Sequence, residues 1–408
     1  MSYQGKVLWV DLGSREIKVT SLPPDWQKDY LGGRALGVKI LHDFLPPFVS
    51  PFSKDNLLII STGPLTGTLA PASGRYSIES ISPLTGLVGY SNSGGHFGPE
   101  FKRAGYDVLI IRGISPDPVY LYIEDDTVKL LPARHLWGKG LIETYRTLKE
   151  THGERVRIAG IGPAGENRVL YACVLNDEWD AAGRTGLGAV FGSKGLKAIV
   201  VRGSRDIRIR NPRPFFKKVL EAYQKIKKDK TYPDFSRFGT SMLVDIAQAS
   251  GGLSSYNAQR GVFDGFENIS SVNLHLKYYR NKKACWVCPL NCKNYVKVED
   301  PLYTMEGGGP EYETLVCLGS RVGIKDLEKI IYANHLCNDL GLDTISAGTS
   351  IAFLMEASEK GLIEEKLSWG DGDLVIELLR KIAFREGLGD FLACGVRMMK
   401  EKTPLCAL

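Results

Sequence analysis

Three of the eight cysteines crowd into Cys285-Trp286-Val287-Cys288-Pro289-Leu290-Asn291-Cys292, while the other five are dispersed. Thiolates spaced C-x2-C-x3-C on a short loop can turn three sulfurs toward a common centre, as an iron–sulfur cluster or a zinc ion requires. A c-type haem would need histidine after the second cysteine, and Pro289 stands there. The radical enzymes that use S-adenosylmethionine place the wider gap first, and here it comes second. A structural zinc would need a fourth ligand, and the nearest histidines in sequence are His275 and His335. Three unliganded thiols are the bland alternative. A four-iron cluster wants four thiolates. Cys173, Cys317, Cys337 and Cys394 sit in apolar strand or helix patterns and read as small buried hydrophobes, and Cys406 is unassigned. The fourth ligand is therefore missing or outside this chain.

A second group of residues suits anions. Gly74-Arg75-Tyr76, Ser91-Asn92-Ser93-Gly94-Gly95-His96-Phe97-Gly98 and Ala181-Ala182-Gly183-Arg184-Thr185-Gly186-Leu187-Gly188 are glycine-rich turns. Their backbone N–H groups could cradle phosphate, with Arg75 and Arg184 as planar bidentate donors. The competing reading is that the glycines only turn the chain between strands and the arginines lie in solvent. Gly160-Ile161-Gly162-Pro163-Ala164-Gly165 matches G-x-G-x-x-G by letter. A dinucleotide fold needs a helix next, and residues 166–171 read as another strand, so the fingerprint carries little weight.

These residues need a scaffold. From residue 5 to about 203 the pattern is mostly strands and turns, beginning with a hairpin over Val7–Asp11 and Glu16–Thr20. Further strands are expected at 57–60, 75–80, 107–111, 119–123, 168–174 and 198–201, with one helix over 140–151. The charged, proline-containing stretch at 206–214 predicts a domain boundary. Helical periodicity follows at 215–230, 326–340, 344–360, 373–385 and 390–402. The expected fold is α+β: a β-rich domain over 1–208, then a mainly helical domain over 209–408.

The chain has 408 residues, 43% hydrophobic and 24% charged, which is ample for more than one core. A net charge of +6 is small for this length, and the basic residues read as scattered among acids, which does not point to nucleic acid. No uncharged apolar run approaches the ~18 residues of a membrane span. The start lacks the apolar stretch of a signal peptide. The expected location is cytoplasmic, where clustered cysteines suggest metal or redox chemistry and not disulfides.

Taken together the motifs resemble the aldehyde ferredoxin oxidoreductase family along nearly the whole chain. The resemblance rests on Ser61-Thr62-Gly63-Pro64-Leu65-Thr66-Gly67-Thr68, Gly74-Arg75-Tyr76, Ser82-Pro83-Leu84-Thr85-Gly86, Asn92-Ser93-Gly94-Gly95, Ala104-Gly105-Tyr106-Asp107, residues 160–167, Ala181-Ala182-Gly183-Arg184, Gly192-Ser193-Lys194, the three cysteines, Gly309-Pro310-Glu311-Tyr312-Glu313 and Leu340-Gly341-Leu342-Asp343-Thr344. It implies tungsten (or molybdenum) held by two pterins, a [4Fe-4S] cluster, and oxidation of a small aldehyde to a carboxylic acid with ferredoxin as acceptor. It implies an N-terminal two-sheet, pterin-binding base followed by largely helical domains.

By the same resemblance Arg75 and Arg184 contact pterin phosphates. Asn92 and the backbone of Ala182 bridge to a magnesium ion, which prefers hard oxygen ligands. Ser93, Gly94, Gly95, Ala181 and Gly183 line the cofactor, and Asn338, Leu342 and Asp343 contact a pterin. An acid is usual in the family at the position of Asn338. Cys285, Cys288 and Cys292 hold the cluster, and Glu313 is the active-site glutamate, whose pKa a closed apolar pocket could raise. Glu311 is equally plausible from the local sequence. Tyr332 stands where some members carry the acid of a Glu-x-x-His iron site, so that iron is not expected and His335 reads as a surface or packed histidine.

The resemblance also implies that the family's C-terminal helical domain, with a fourth cysteine and a histidine, is absent here, so a separate C-terminal polypeptide or a homo-oligomer is a candidate partner. The alternatives are a non-catalytic cluster- or cofactor-binding subunit, a truncated fragment, or a related aromatic acyl-CoA reductase subunit. Substrate, metal and oligomeric state are open at this point.

Overall fold

The computed structural model describes residues 2–402; Cys406 lies outside them. The chain divides into two compact units. The first comprises residues 1–227, 285–289 and 339–341, and the second 228–284, 290–338 and 342–408.

The first unit is built on two six-stranded sheets. One contains β1 (Lys6–Asp11), β2 (Ile17–Ser21), β3 (Leu58–Thr62), β4 (Tyr76–Ile81), β5 (Val88–Ser93) and β6 (Val108–Arg112), in the order β2-β1-β6-β3-β4-β5. The other contains β7 (Val119–Glu124), β8 (Thr127–Pro132), β9 (Arg157–Gly160), β10 (Val174–Asn176), β11 (Asp180–Ala182) and β12 (Leu196–Arg202), in the order β11-β10-β9-β12-β7-β8. Its helices include α1 (Gly33–Phe44), α2 (Phe97–Arg103), α3 (Leu141–His152), α4 (Leu187–Ser193) and α5 (Pro212–Lys227).

β1, β3, β6, β7 and β12 are apolar on both faces because both faces are covered. Leu8, Leu58, Ile60, Leu109 and Ile111 share one core with Leu121, Ile123, Ile199 and Val201 of the facing sheet. Their neighbours Val7, Ile59, Val108 and Ile110 turn outward onto Leu36, Ile40 and Leu41 of α1. On the far side Tyr120, Ile158, Ala198 and Val200 pack on Leu141, Tyr145 and Leu148 of α3. The result is a helix, two sheets and a helix in successive layers, the two-sheet base expected from the sequence. Burying such side chains contributes about 1.5–3 kcal/mol each.

The strand expected at 168–174 is present only at Val174. Pro163–Glu166 forms one helical turn, Arg168 adopts a left-handed backbone with φ +56°, and Val169 and Ala172 donate to carbonyls three to five residues back. Local turns satisfy the backbone there, so the apolar alternation is that of a buried loop. The glycines of the fingerprint serve packing: a side chain at Gly162 would collide with the Leu340 backbone, and one at Gly165 with Gly188.

The second unit is mainly helical. Its elements include α6 (Tyr232–Phe238), α7 (Met242–Ala249), α8 (Ser271–Lys277), α9 (Tyr312–Cys317), α10 (Leu327–Leu340), α11 (Thr344–Glu359), α12 (Gly372–Phe384), α13 (Leu388–Leu392) and α14 (Gly395–Lys402). The central helix α11 is buried on most sides and is started by Asp343, whose carboxylate accepts from the N–H groups of Ile345 (3.2 Å) and Ser346 (3.3 Å). The single helix expected over 390–402 is broken at residues 393–394, where Gly395 takes φ +75°. A three-stranded sheet, β13 (Tyr279–Lys283), β14 (Lys293–Val298) and β15 (Met305–Gly308), completes the unit. Among the described residues no helix is long and apolar enough to cross a membrane.

Candidate functional site

In the first unit the anion-suited turns meet at one end of the base. β5 is the last strand of its sheet and β11 the first of the other, and the two edge strands adjoin. Asn92 on β5 pairs in register with Ser77 on β4, and its Oδ1 accepts from the Arg75 guanidinium. Arg75 is solvent-exposed, as are Ala181 and Arg184, while Ser93, Gly94, Gly95 and Ala182 are buried and Asn92 and Gly183 are half-buried. Ser82 Oγ donates to the Thr185 carbonyl at 2.7 Å, tying the Ser82–Gly86 turn to the segment after Arg184.

Sequence reasoning did not single out the residues that brace this end. Asn176 Nδ2 donates to the Gly94 carbonyl (3.2 Å) and its Oδ1 accepts from Tyr76 Oη (3.0 Å). The Asp177 carboxylate accepts from the His96 N–H and from Asn176 Nδ2 (3.1 Å), and faces Arg157 at 3.8 Å. Burial works against its charge, but the bonds from His96 and the charge of Arg157 outweigh that and hold the carboxyl below its usual range. Asp177 and Glu178 both take left-handed backbones, φ +50° and +74°. Two consecutive non-glycine residues of that kind mark a constrained turn, the signal that a sequence alone does not display.

Two of the three clustered cysteines belong to this unit. Cys285 lies against Gly94, where a β-carbon would stand 2.7 Å from its Sγ. Trp286 N–H donates to the Gly95 carbonyl (3.1 Å) and its indole Nε1 to the Thr68 carbonyl (2.9 Å). Val287, left-handed at φ +42°, accepts at its carbonyl from Tyr223 Oη (2.6 Å) and the Ala72 N–H (3.3 Å). The segment Cys285–Cys288 is thus pinned to the turn that follows Asn92. Beside it lies a cavity of about 600 Å³, lined by Thr68, Leu69, Arg103, Arg205, Phe216 and Trp286 among others.

In the second unit Cys292 is half-buried, and Lys282 is close enough for its charge to act on Cys292 and Glu311. Burial lowers the Lys282 pKa, those two neighbours raise it, and burial prevails. Glu311 accepts from Thr240 Oγ1. Glu313 sits on the first turn of α9 and is exposed, because the buried face of α9 is made by Thr314–Cys317.

Glu313, Asp343 and Arg321 all act electrostatically on Cys317, whose thiol burial pushes up to about 11. Leu342 and Asp343 are buried and Asn338 is half-buried. Asp343 spends its carboxylate capping α11, so its value to a ligand there would be through position and backbone. Burial likewise raises the Cys337 thiol, and Cys173, Cys317, Cys337 and Cys394 are all buried, as their apolar settings predicted. Tyr332 Oη accepts from Arg380 at 2.9 Å, and His335 is half-buried. Among the described residues no three His, Cys, Asp or Glu side chains converge on a single-ion site.

Comparison with known proteins gives this arrangement its relatives. Residues 7–203 match the family model "Aldehyde ferredoxin oxidoreductase, N-terminal domain", and residues 217–405 match "Aldehyde ferredoxin oxidoreductase, domains 2 & 3". The tungsten-containing aldehyde ferredoxin oxidoreductase of Pyrococcus furiosus is 42% identical over 406 residues, which cover 97% of this chain and 67% of that protein. The WOR-like subunit of the aliphatic sulfonate oxidoreductase of the same organism is 36% identical over 97% of this chain and 66% of its own length. Among solved structures, the active-site complex BamBC of benzoyl coenzyme A reductase with 1,5-dienoyl-CoA superposes with a TM-score of 0.87 at 33% identity, covering 98% of this chain and 64% of that one. The chain therefore spans about two thirds of the length of the relatives it matches. With both family models matched in order across nearly all its length, the chain belongs to the aldehyde ferredoxin oxidoreductase family.

Proposed function

We propose that this chain carries the pterin base and cluster loop of an oxidoreductase that converts an aldehyde and water to a carboxylic acid, two protons and two electrons, with ferredoxin taking the electrons one at a time. The observation that carries the reading is the convergence of the Arg75–Asn92 pair, the Gly94–Gly95 turn and Cys285 at one end of the first unit. The donor chemistry fits the groups expected in the family. Exposed guanidiniums at Arg75 and Arg184 suit phosphates, the Asn92 amide oxygen and the Ala182 carbonyl suit magnesium, and Gly94 leaves room beside a thiol.

In this reading Arg75 and Arg184 bind the phosphates of a paired pterin, with Ser93, Gly94, Gly95, Ala181 and Gly183 lining it. Asn92 and the backbone of Ala182 would hold a magnesium ion. Cys285, Cys288 and Cys292 supply three thiolates to a [4Fe-4S] cluster. Asn338, Leu342 and Asp343 would contact a pterin. When bound, the tungsten (or molybdenum) bis-pterin supplies a two-electron acceptor for the aldehyde carbon. Glu313, on an exposed helical turn open to water, takes a proton at its carboxylate as water adds to the carbonyl.

A second reading, reduction of an aromatic acyl-CoA, draws support from the 0.87 TM-score to the benzoyl coenzyme A reductase complex. Metal analysis by mass spectrometry on protein purified without oxygen from its native host tests the proposal, together with the masses of co-purifying chains. Tungsten or molybdenum with iron, and reduction of ferredoxin by an aldehyde, is the expected result. Protein holding neither metal, with no co-purifying chain, would overturn it. Metal-loaded protein active on an aromatic thioester and inert to aldehydes would favour the second reading.

A further inference from the structure

The net charge of +6 is not spread evenly. Between residues 268 and 298 there are six basic side chains, Lys277, Arg280, Lys282, Lys283, Lys293 and Lys297, and no acid, correcting the reading of the basic residues as scattered. Five of the six lie on the hairpin β13–β14, and the connection between those two strands is the segment that carries Cys285, Cys288 and Cys292.

The register brings charge together. Lys283 and Lys293, the last residue of β13 and the first of β14, are directly paired across the ladder at the mouth of the cysteine connection. Lysines on an edge strand are commonly explained as protection against strand addition. That explanation covers β13, which is an edge; on the central strand Lys297 stands opposite Glu306 of β15, and Lys293 is the position that neither edge protection nor that pairing covers. Glu299, the next acid in the chain, pairs with Arg280 (3.6 Å) and Lys297 (2.7 Å) at the other end of the hairpin. Lys283, exposed, lies over the Tyr295 ring at 5.2 Å.

We propose that the basic hairpin β13–β14 is the docking surface for an acidic one-electron carrier protein, received at the strand ends that flank the three cysteines. The inference rests on the oxidoreductase reading above and adds the place of exchange. Concentrated charge of one sign steers an oppositely charged partner and raises its on-rate, and redox encounters need only a small interface. A carrier held there takes one electron per encounter, so two encounters complete each two-electron oxidation.

The test is binding of an acidic, oxidised [4Fe-4S] ferredoxin to the full chain purified without oxygen, by biolayer interferometry in low and high salt. The affinity should fall at least tenfold from low to high salt. At low salt it should fall at least fivefold in Lys283→Glu/Lys293→Glu, while Lys217→Glu/Lys225→Glu, on the basic helix α5, leaves it within twofold. Equal losses in both pairs would reduce the effect to net charge and overturn the proposal, as would an unchanged affinity in the hairpin pair. If the first pair loses iron, Lys277→Glu/Arg280→Glu replaces it with the same expectation. A single-stranded oligonucleotide that binds the hairpin as tightly and displaces the ferredoxin would assign the surface to nucleic acid instead. Iron and tungsten measured on the same preparation separate the two readings, since a metal-free chain that still binds ferredoxin through the hairpin upholds the surface and sinks the oxidoreductase.

Discussion

Gly94 and Cys285 are nearly two hundred residues apart in sequence, yet the thiol of one fills the space where the other would carry a side chain. The turn suited to phosphate and the loop suited to a cluster are thereby one assembly. Asn176 and Asp177 brace the first, and Tyr223 and the Thr68 and Ala72 backbone brace the second.

Gly94→Ala should separate them. Its methyl group meets the Cys285 sulfur at 2.7 Å, an overpacking that costs about 1–3 kcal/mol. The expected outcome is a lower melting temperature and loss of more than half the iron, read by melting and by iron content per chain. Retention of all the iron would show that Cys285 does not depend on this contact.

Glu79 should make stability depend on pH in an unusual direction. It is fully buried on β4 against Gly37 of α1, and burial pushes its pKa up to about 8, with Ser77, Ser61 and Arg34 opposing. The native carboxyl is then protonated, so the associated stability is complete below about pH 4.5, declines as pH rises and is lost through about pH 8, at roughly 1.4 kcal/mol per pH unit. Glu79→Gln should therefore melt higher than the unaltered protein at pH 9 and about equally at pH 5. Parallel pH profiles for the two proteins would count against a buried neutral acid.

The buried pair Lys197–Glu166 should be costly to break from one side only. Both side chains are almost wholly buried, Lys197 Nζ also donates to the Lys139 carbonyl (2.9 Å), and Glu166 accepts from the Gly138 N–H (2.7 Å). Lys197→Met leaves a carboxylate without its charge partner and is expected to destabilise by about 3–5 kcal/mol. Lys197→Met/Glu166→Gln should recover part of that loss in chemical denaturation. Additive effects would mean the two groups are not coupled.

Glu311 and Glu313, two residues apart, should behave differently. Both are exposed, but Glu311 accepts a hydrogen bond from Thr240, while Glu313 stands on the first turn of α9. Under the proposed function Glu313→Gln should lower kcat for aldehyde oxidation by roughly 10²–10⁴-fold, the usual contribution of a general base. Glu311→Gln should change it only a few-fold. The reverse order in dye-linked assays would assign the role to Glu311.

Much of the scaffold is written in local pattern. β1, β3, β6, β7 and β12 are continuous apolar runs because each is covered on both faces, and α10, α11 and α12 are started by the carboxylates of Asp326, Asp343 and Asp371. β5 was not legible as a strand, since Val88-Gly89-Tyr90-Ser91-Asn92-Ser93 is rich in residues of low strand propensity. It becomes one through pairing with β4, a long-range supply of hydrogen bonds that no window of sequence contains.

By itself, then, the sequence determined the two groups of candidate residues, thiolates at C-x2-C-x3-C spacing and arginines beside glycine turns, because residue type and spacing are local properties. It also determined that a β-rich half precedes a helical one. Only the tertiary structure decided that the edge strands β5 and β11 adjoin, that Cys285 lies on Gly94, that Glu313 is exposed and Glu311 accepts from Thr240, and that Lys283 faces Lys293. Each of these depends on strand order, register or close backbone approach, which are fixed by burial and hydrogen bonding between segments far apart in the chain.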